Sequence, residues 1–367
     1  MRALLALLFV LFLTAAAAFA QNGGYNYYSQ ALQGDLSGAE AGLKAGEDDE
    51  LYNKFKTRFL KKQGGLSVDS IEDEGVRAVA RAYQDYWRAA LLKPADRPGL
   101  DAALMAELRG VIDKYDVGQE GDANVFISEA ELARFQADPE AAKENIEATS
   151  VRLVPWIEKR GLFALTGRTS PLLEFMLWRE TRRVETQIEL TDGVASVPVI
   201  YLEDFISGGW AYFATFERSR AGGWAKADGI YVVADAYSHL DDESFTISYL
   251  KHEARHFVDA TRYPKLSSAD REYRAKLTEL VYAQESLGRL LAAFAHHGVR
   301  VDVPHPLANW QVIQDLEARL FEGEAPAAWW SSTAPEKIRA AASALLEEHT
   351  AKLEAQGGET AEGVVRI

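Results

Sequence analysis

The chain has no cysteine, so no disulfide can brace it, and its stability must come from burial, hydrogen bonding and any metal it binds. Positive charge is also short: 40 lysines and arginines stand against 55 acids, a formal net charge of −15. Such a surface repels phosphate backbones and argues against nucleic acid as a partner. Long hydrophobic runs are scarce too. The one present, Ala3 to Phe19 with Thr14 as its interruption, follows Met1-Arg2 and closes with Ala18-Phe19-Ala20 before Gln21. A charged start, an apolar middle and an A-x-A ending predict a secretory signal peptide over 1–20, cleaved after Ala20. No cysteine follows for lipid attachment, and no other stretch is apolar enough to cross a bilayer. The expected location is therefore periplasmic or secreted, with no stable membrane span after cleavage.

What is present is globular: 48% of the residues are hydrophobic and 26% charged, enough for a sizeable core. Residues 21–50, rich in Gly, Tyr, Gln, Ser and acids, read as a flexible segment. Residues 51–180 read as a helical N-terminal region, because Ile71, Val76, Val79, Ala80, Tyr83, Tyr86, Trp87 and Leu91 recur at three- and four-residue steps. Within it, Glu120 to Glu131 carries oxygen side chains at several calcium-loop positions. Val125 stands where the sharp turn needs glycine, so a plain loop is expected. After Arg183 the period changes to alternation, and Thr191-Asp192-Gly193 separates two alternating runs as a hairpin turn would. Trp210 to Phe216 and Gly229 to Val233 read as further strands, giving a small antiparallel sheet ahead of the chemistry.

That chemistry lies in His252-Glu253-Ala254-Arg255-His256. Ser238 to Thr261 reads as one helix, with Ser238 and Asp241 as a capping box and Tyr263-Pro264 as the stop. Two histidines four residues apart share a helix face, so both imidazoles can meet one zinc ion at about 2.0–2.1 Å. Glu253, beside them, is free to act as general base on a zinc-activated water. A chain with seven histidines should meet this pattern by chance in on the order of one case in a hundred.

A catalytic zinc wants a third protein ligand and an open position. No methionine follows the motif, and Asp259 and Arg262 stand where a metzincin has its glycine and third histidine, so that pattern fails. A second helix is expected over 268–297, opened by Ser267 with Asp270. Glu272 and Glu279 lie two turns apart on one of its faces, and either could reach the metal. The chain here resembles the gluzincin metallopeptidases, whose zinc helix is followed by one carrying a glutamate ligand, often as Glu-x-x-Ala. The matching residues are the motif itself and Glu272-Tyr273-Arg274-Ala275. The small Ala275 lets two helices approach, which favours Glu272 over Glu279. The acid that many such enzymes place soon after the ligand glutamate is missing. The resemblance, which spans about Gly229 to Gly298, also implies an edge strand for substrate, with Gly229 to Val233 as candidate. Tyr231, Arg274, Tyr282, His296 and His297 are open as transition-state donors, and Asp259 as a residue behind the histidines or on the surface.

The expectation is an α+β, zincin-like protein: mainly helical N- and C-terminal parts around a small antiparallel sheet and an active-site helix, with 181–367 as catalytic region. His252, His256 and Glu272 would hold Zn2+, Glu253 would be catalytic, and the partner would be a peptide or protein substrate. The rivals are a zinc amidase or pseudo-enzyme of the cell envelope, and a metal-free helical binding or scaffold protein.

Overall fold

The computed structural model describes residues 26–46, 48–65, 67–115, 149, 152–296, 304–321 and 327–365. The expected signal peptide and the loop from Glu120 to Glu131 lie outside them. The fold is α+β with one five-stranded, curled, mixed sheet, and its contacts divide into two compact units.

The first unit comprises the described residues up to Thr181 together with Leu202–Ala221. It opens with α1 (Tyr27–Leu32), α2 (Ala39–Ala45) and α3 (Asp49–Phe55). The flexible segment expected over 21–50 therefore gives way to ordered helices from Asn26 onward. Tyr27, Ala31, Leu36, Ala39 and Leu43 are buried, the Tyr27 hydroxyl donates to the carbonyl of Ala214 at 2.8 Å, and its ring stacks on Phe216. These helices are only six or seven residues long, too short for a sustained period, and Tyr27 finds its partners far away in the chain.

The long helices α4 (Glu74–Leu92) and α5 (Arg97–Lys114) follow. The Asp73 carboxylate caps α4 by accepting from Val76 N–H, and its buried face includes Val76, Val79, Ala80, Tyr83, Trp87 and Leu91. This region is not purely helical, since β1 (Phe163–Thr169) pairs antiparallel with the start of β2 (Leu172–Leu190). The run expected as a strand from Trp210 is also a helix, α6 (Gly209–Ala214). Gly209 has φ +88°, and a Cβ there would run into the Glu174 carboxylate. Only glycine lets the backbone turn out of strand geometry against that buried acid.

The second unit takes Arg182–Tyr201 and the described residues from Gly222 on. Residues 182–201 hold the ends of β2 and β3 (Gly193–Gly208), joined at the expected Asp192-Gly193 turn. Short strands β4 (Gly223–Lys226) and β5 (Gly229–Val233) pair antiparallel. The order β1-β2-β3-β5-β4 makes β4 the edge, which corrects the expectation that Gly229 to Val233 lies there. The small antiparallel sheet is corrected likewise to a larger, mixed one. The helices are α7 (His252–Arg262), α8 (Ser268–Tyr282), α9 (Leu287–His296), α10 (Pro304–Phe321) and α11 (Pro335–Ala355). Their core joins Tyr273, Leu277 and Leu280 of α8 to Val312 and Leu316 of α10 and Ala342 and Leu346 of α11. Among the described residues, no helix is long and apolar enough to cross a membrane.

Candidate metal centre

The helix bearing the motif is not the single α-helix expected from Ser238. Residues 243–245 make one helical turn, Thr246–Lys251 wind as a π-helix, and regular α geometry begins at His252. The extra residue of a π turn costs hydrogen-bond quality, and such turns cluster where a helix must aim particular side chains. Here the turn sets Tyr249 beneath the sheet, its hydroxyl donating to the carbonyl of Tyr231. Gly223 is required beside it, because at φ +149° any Cβ would meet that hydroxyl.

The start of this segment also explains why α8 does not run on to residue 297. The Glu243 carboxylate accepts from the N–H groups of Gln284, Glu285 and Ser286 and from the Ser286 hydroxyl. Those donors are used on a side chain, so α8 stops at Tyr282 and α9 begins afresh at Leu287.

Helix α7 buries polar residues: His252, Glu253, Arg255 and Asp259 are all at most 2% exposed. Buried charge needs partners, and Arg255 and Asp259 have charged ones. Arg255 makes a two-pronged pair with Asp192 at 2.7 and 2.9 Å. Asp259 receives Arg274 at 2.7 and 3.1 Å. Asp259 therefore lies behind the motif as an arginine partner, and Arg274 is committed to it.

The two histidines of the motif converge on α8. His252 Nε2 and His256 Nε2 lie 3.0 Å apart, His256 Nε2 is 3.3 Å from Glu272 Oε1, and His252 Nε2 is 3.6 Å from Glu272 Oε2. Ligand atoms of these three residues all fall within 4.8 Å of one another. Donors held at 2.0–2.1 Å around a tetrahedral cation stand about 3.3–3.4 Å apart. The closest approaches straddle that value, two of them to different oxygens of Glu272, so the cluster could hold a small divalent ion.

Glu279 takes a different place. Its Oε1 meets His252 Nδ1 at 2.7 Å, which assigns the proton to Nδ1 and turns the Nε2 lone pair toward His256 and Glu272. Glu272, and not Glu279, is thus grouped with the two Nε2 atoms. Glu279 also supplies the acid behind a histidine that the sequence had left unassigned, two turns after Glu272.

Glu253 is 2% exposed, the nearby backbone N–H of Ala225 on β4 favours its charged form, and Oε2 has no hydrogen-bond partner. Burial, with Glu272 and Glu279 adding to it, pushes its carboxyl up to about 7. Burial lowers His252 against the pull of Glu279. At His256 burial acts in the same sense, but Glu272 and Glu253 outweigh it and the ring is raised. Burial would raise Glu272, yet His256 and His305 hold it well below the usual carboxylate range. No lysine or arginine among the described residues forms an ion pair with Glu253, Glu272 or Glu279. Three buried acids gathered without such a partner make a pocket of negative charge suited to a cation.

Of the donors left open by the sequence, the Tyr231 hydroxyl is taken by Asp228, and Tyr282 lies beneath the Lys251 ammonium. The side chains of His296 and His297 lie outside the described residues. Two groups escaped the sequence reading. His305, at the start of α10, brings Nδ1 to 2.7 Å from Glu272 Oε2. The buried Tyr237 hydroxyl has no hydrogen-bond partner, and its ring packs on Phe245 and Tyr249. Neither belongs to a spaced motif, so only the fold could reveal them.

The chain matches no protein-family model, and neither a curated protein nor a solved structure is found to be similar to it.

Proposed function

We propose that this chain is an exported zinc-dependent metallopeptidase of zincin-like fold, hydrolysing peptide bonds with Glu253 as general base. The observation that carries the reading is the convergence of His252, His256 and Glu272: the two Nε2 atoms stand 3.0 Å apart, one carboxylate oxygen lies 3.3 Å from His256 and the other 3.6 Å from His252, and one ligand atom from each residue falls within 4.8 Å of the others. Zinc, when bound, supplies a Lewis acid that polarises the scissile carbonyl and makes water acidic enough to attack near neutral pH.

The chain's own residues do the rest. Glu279 fixes the His252 ring, so a nitrogen lone pair is available without reorganisation. Glu253, buried and with one oxygen free, takes a proton from the attacking water and passes it to the leaving amine. The strand available to an extended peptide is β4, which has β5 on one side only. Because the backbone N–H of Ala225 on β4 acts on the Glu253 carboxylate, a peptide laid along that edge would bring its carbonyl close to the base.

Metal analysis of the full chain, purified without chelators, tests the centre, and about one zinc per chain is expected. Hydrolysis is then assayed on an unfolded protein, short peptides and cell-wall fragments, with Glu253→Gln alongside. Cleavage of the first two that Glu253→Gln abolishes supports the reading. Cleavage of cell-wall fragments alone replaces it with an envelope amidase, and a chain without metal replaces it with a binding or scaffold protein.

A further inference from the structure

We propose that His305 is a positioning residue for the ligand carboxylate: its Nδ1–H holds the outer oxygen of Glu272, so that the metal meets one carboxylate oxygen in a fixed orientation. The proposal rests on the metal-centre reading above. Glu272 is 1% exposed, and its two oxygens have different surroundings. Oε1 faces His256 at 3.3 Å, whereas Oε2 is 3.6 Å from His252 and 2.7 Å from His305 Nδ1. A buried carboxylate with nothing on its second oxygen can rotate or bind through both, and either changes the geometry the metal sees.

His305 is built to prevent this. It stands between Pro304 and Pro306 at the first turn of α10, where the proline rings restrict the backbone on both sides. The positive end of the helix dipole also favours a carboxylate there. Its side chain is 34% exposed against 2% for Glu272, so the ring caps the carboxylate from the solvent side. The approach is short but oblique, outside the angle of a finished hydrogen bond. His305 is not among the three residues whose ligand atoms converge, which separates holding Glu272 from binding the metal.

The test uses the full chain as wild type, His305→Ala and His305→Asn, the last keeping a donor at the δ position. Zinc affinity is measured by chelator competition, and the visible spectrum of the cobalt-substituted protein reports coordination. Circular dichroism of the metal-free forms checks folding. His305→Ala is expected to bind zinc about 10–100-fold more weakly and to shift the cobalt bands, while His305→Asn recovers most of both. Unchanged affinity and spectrum in His305→Ala overturn the proposal, as does a loss that His305→Asn does not repair. A loss beyond about a thousandfold in both variants would make His305 a direct ligand, which overturns it too. If wild type itself binds no zinc or cobalt, the metal centre falls first, and the wild-type arm alone shows it.

Discussion

Glu174 in the first unit and Glu272 in the second are both glutamates taken almost wholly out of water, at 4% and 1% exposure, yet they are treated in opposite ways. Glu174 is surrounded by donors: the Thr169 hydroxyl at 2.5 Å and the N–H groups of Trp210 and Phe175 at 3.0 and 3.1 Å. Glu272 is surrounded by nitrogens that are themselves candidate ligands, and its Oε2 lacks a well-formed hydrogen bond. The fold thus satisfies one buried acid fully and leaves the other with an oxygen open to a further partner. Burial therefore does not distinguish a functional carboxylate from a structural one. What its neighbours still lack does.

The sharpest way to break this comparison is to remove a ligand. His256→Ala should drop bound zinc from about one per chain to near none and bring hydrolysis to background. Stabilisation by added zinc, about 2.7 kcal/mol at a hundredfold excess over Kd, should vanish with it. Wild-type metal content in that variant would show that the triangle is only a cluster of packed side chains. Next in size, Glu253→Gln should keep zinc and lower turnover about 10²–10⁴-fold. Steady-state rates beside metal analysis separate the two variants.

Much of this centre was legible in the sequence, because a helix repeats on itself: four-residue spacing places His252 and His256 on one face whatever the rest of the chain does. The amphipathic stripe of α4 was readable for the same reason. The same logic narrows the candidates to Glu272 or Glu279 but cannot set their depth against α7, and depth sets Glu272 beside both Nε2 atoms and Glu279 on His252 Nδ1. What stayed hidden depends on contacts between distant residues. Trp210 to Phe216 is a short apolar run that suits strand or helix equally, until the Glu174 carboxylate captures Trp210 N–H. The break after Tyr282 depends on Glu243, and the role of His305 on where α10 begins.

A smaller effect sharpens the other side of the comparison. Burial raises Glu174 to about 7 despite its three donors, above the ordinary carboxylate value it regains on unfolding. A raised group contributes stability that is complete below its unfolded pKa and is lost as pH climbs through its folded one. Stability of the first unit should thus fall between about pH 4.5 and 7, by at most about 3 kcal/mol. Glu174→Gln mimics the protonated acid, with its oxygen accepting from Trp210 and Phe175 and its amide donating to Thr169. Denaturant melts across that range should lose most of the slope, leaving the variant the more stable above pH 7. Zinc binding should be untouched, and an equally steep slope in the variant would locate the titration elsewhere.

Smallest is the cap of α8, which bears on how firmly Glu272 is presented. Ser267 Oγ accepts from Asp270 N–H at 3.1 Å, and Asp270 is itself anchored by His349 at 2.8 Å and by the N–H groups of Val364 and Val365 at 2.7 and 2.9 Å. With those contacts intact, Ser267→Ala should cost about 1 kcal/mol in denaturant unfolding and leave zinc affinity within twofold. Glu272 lies beyond the first turn, where fraying from a lost cap has died away. A fall in zinc affinity parallel to the fall in stability would mean that the start of α8 and the ligand open together, and the centre would be only as rigid as that cap.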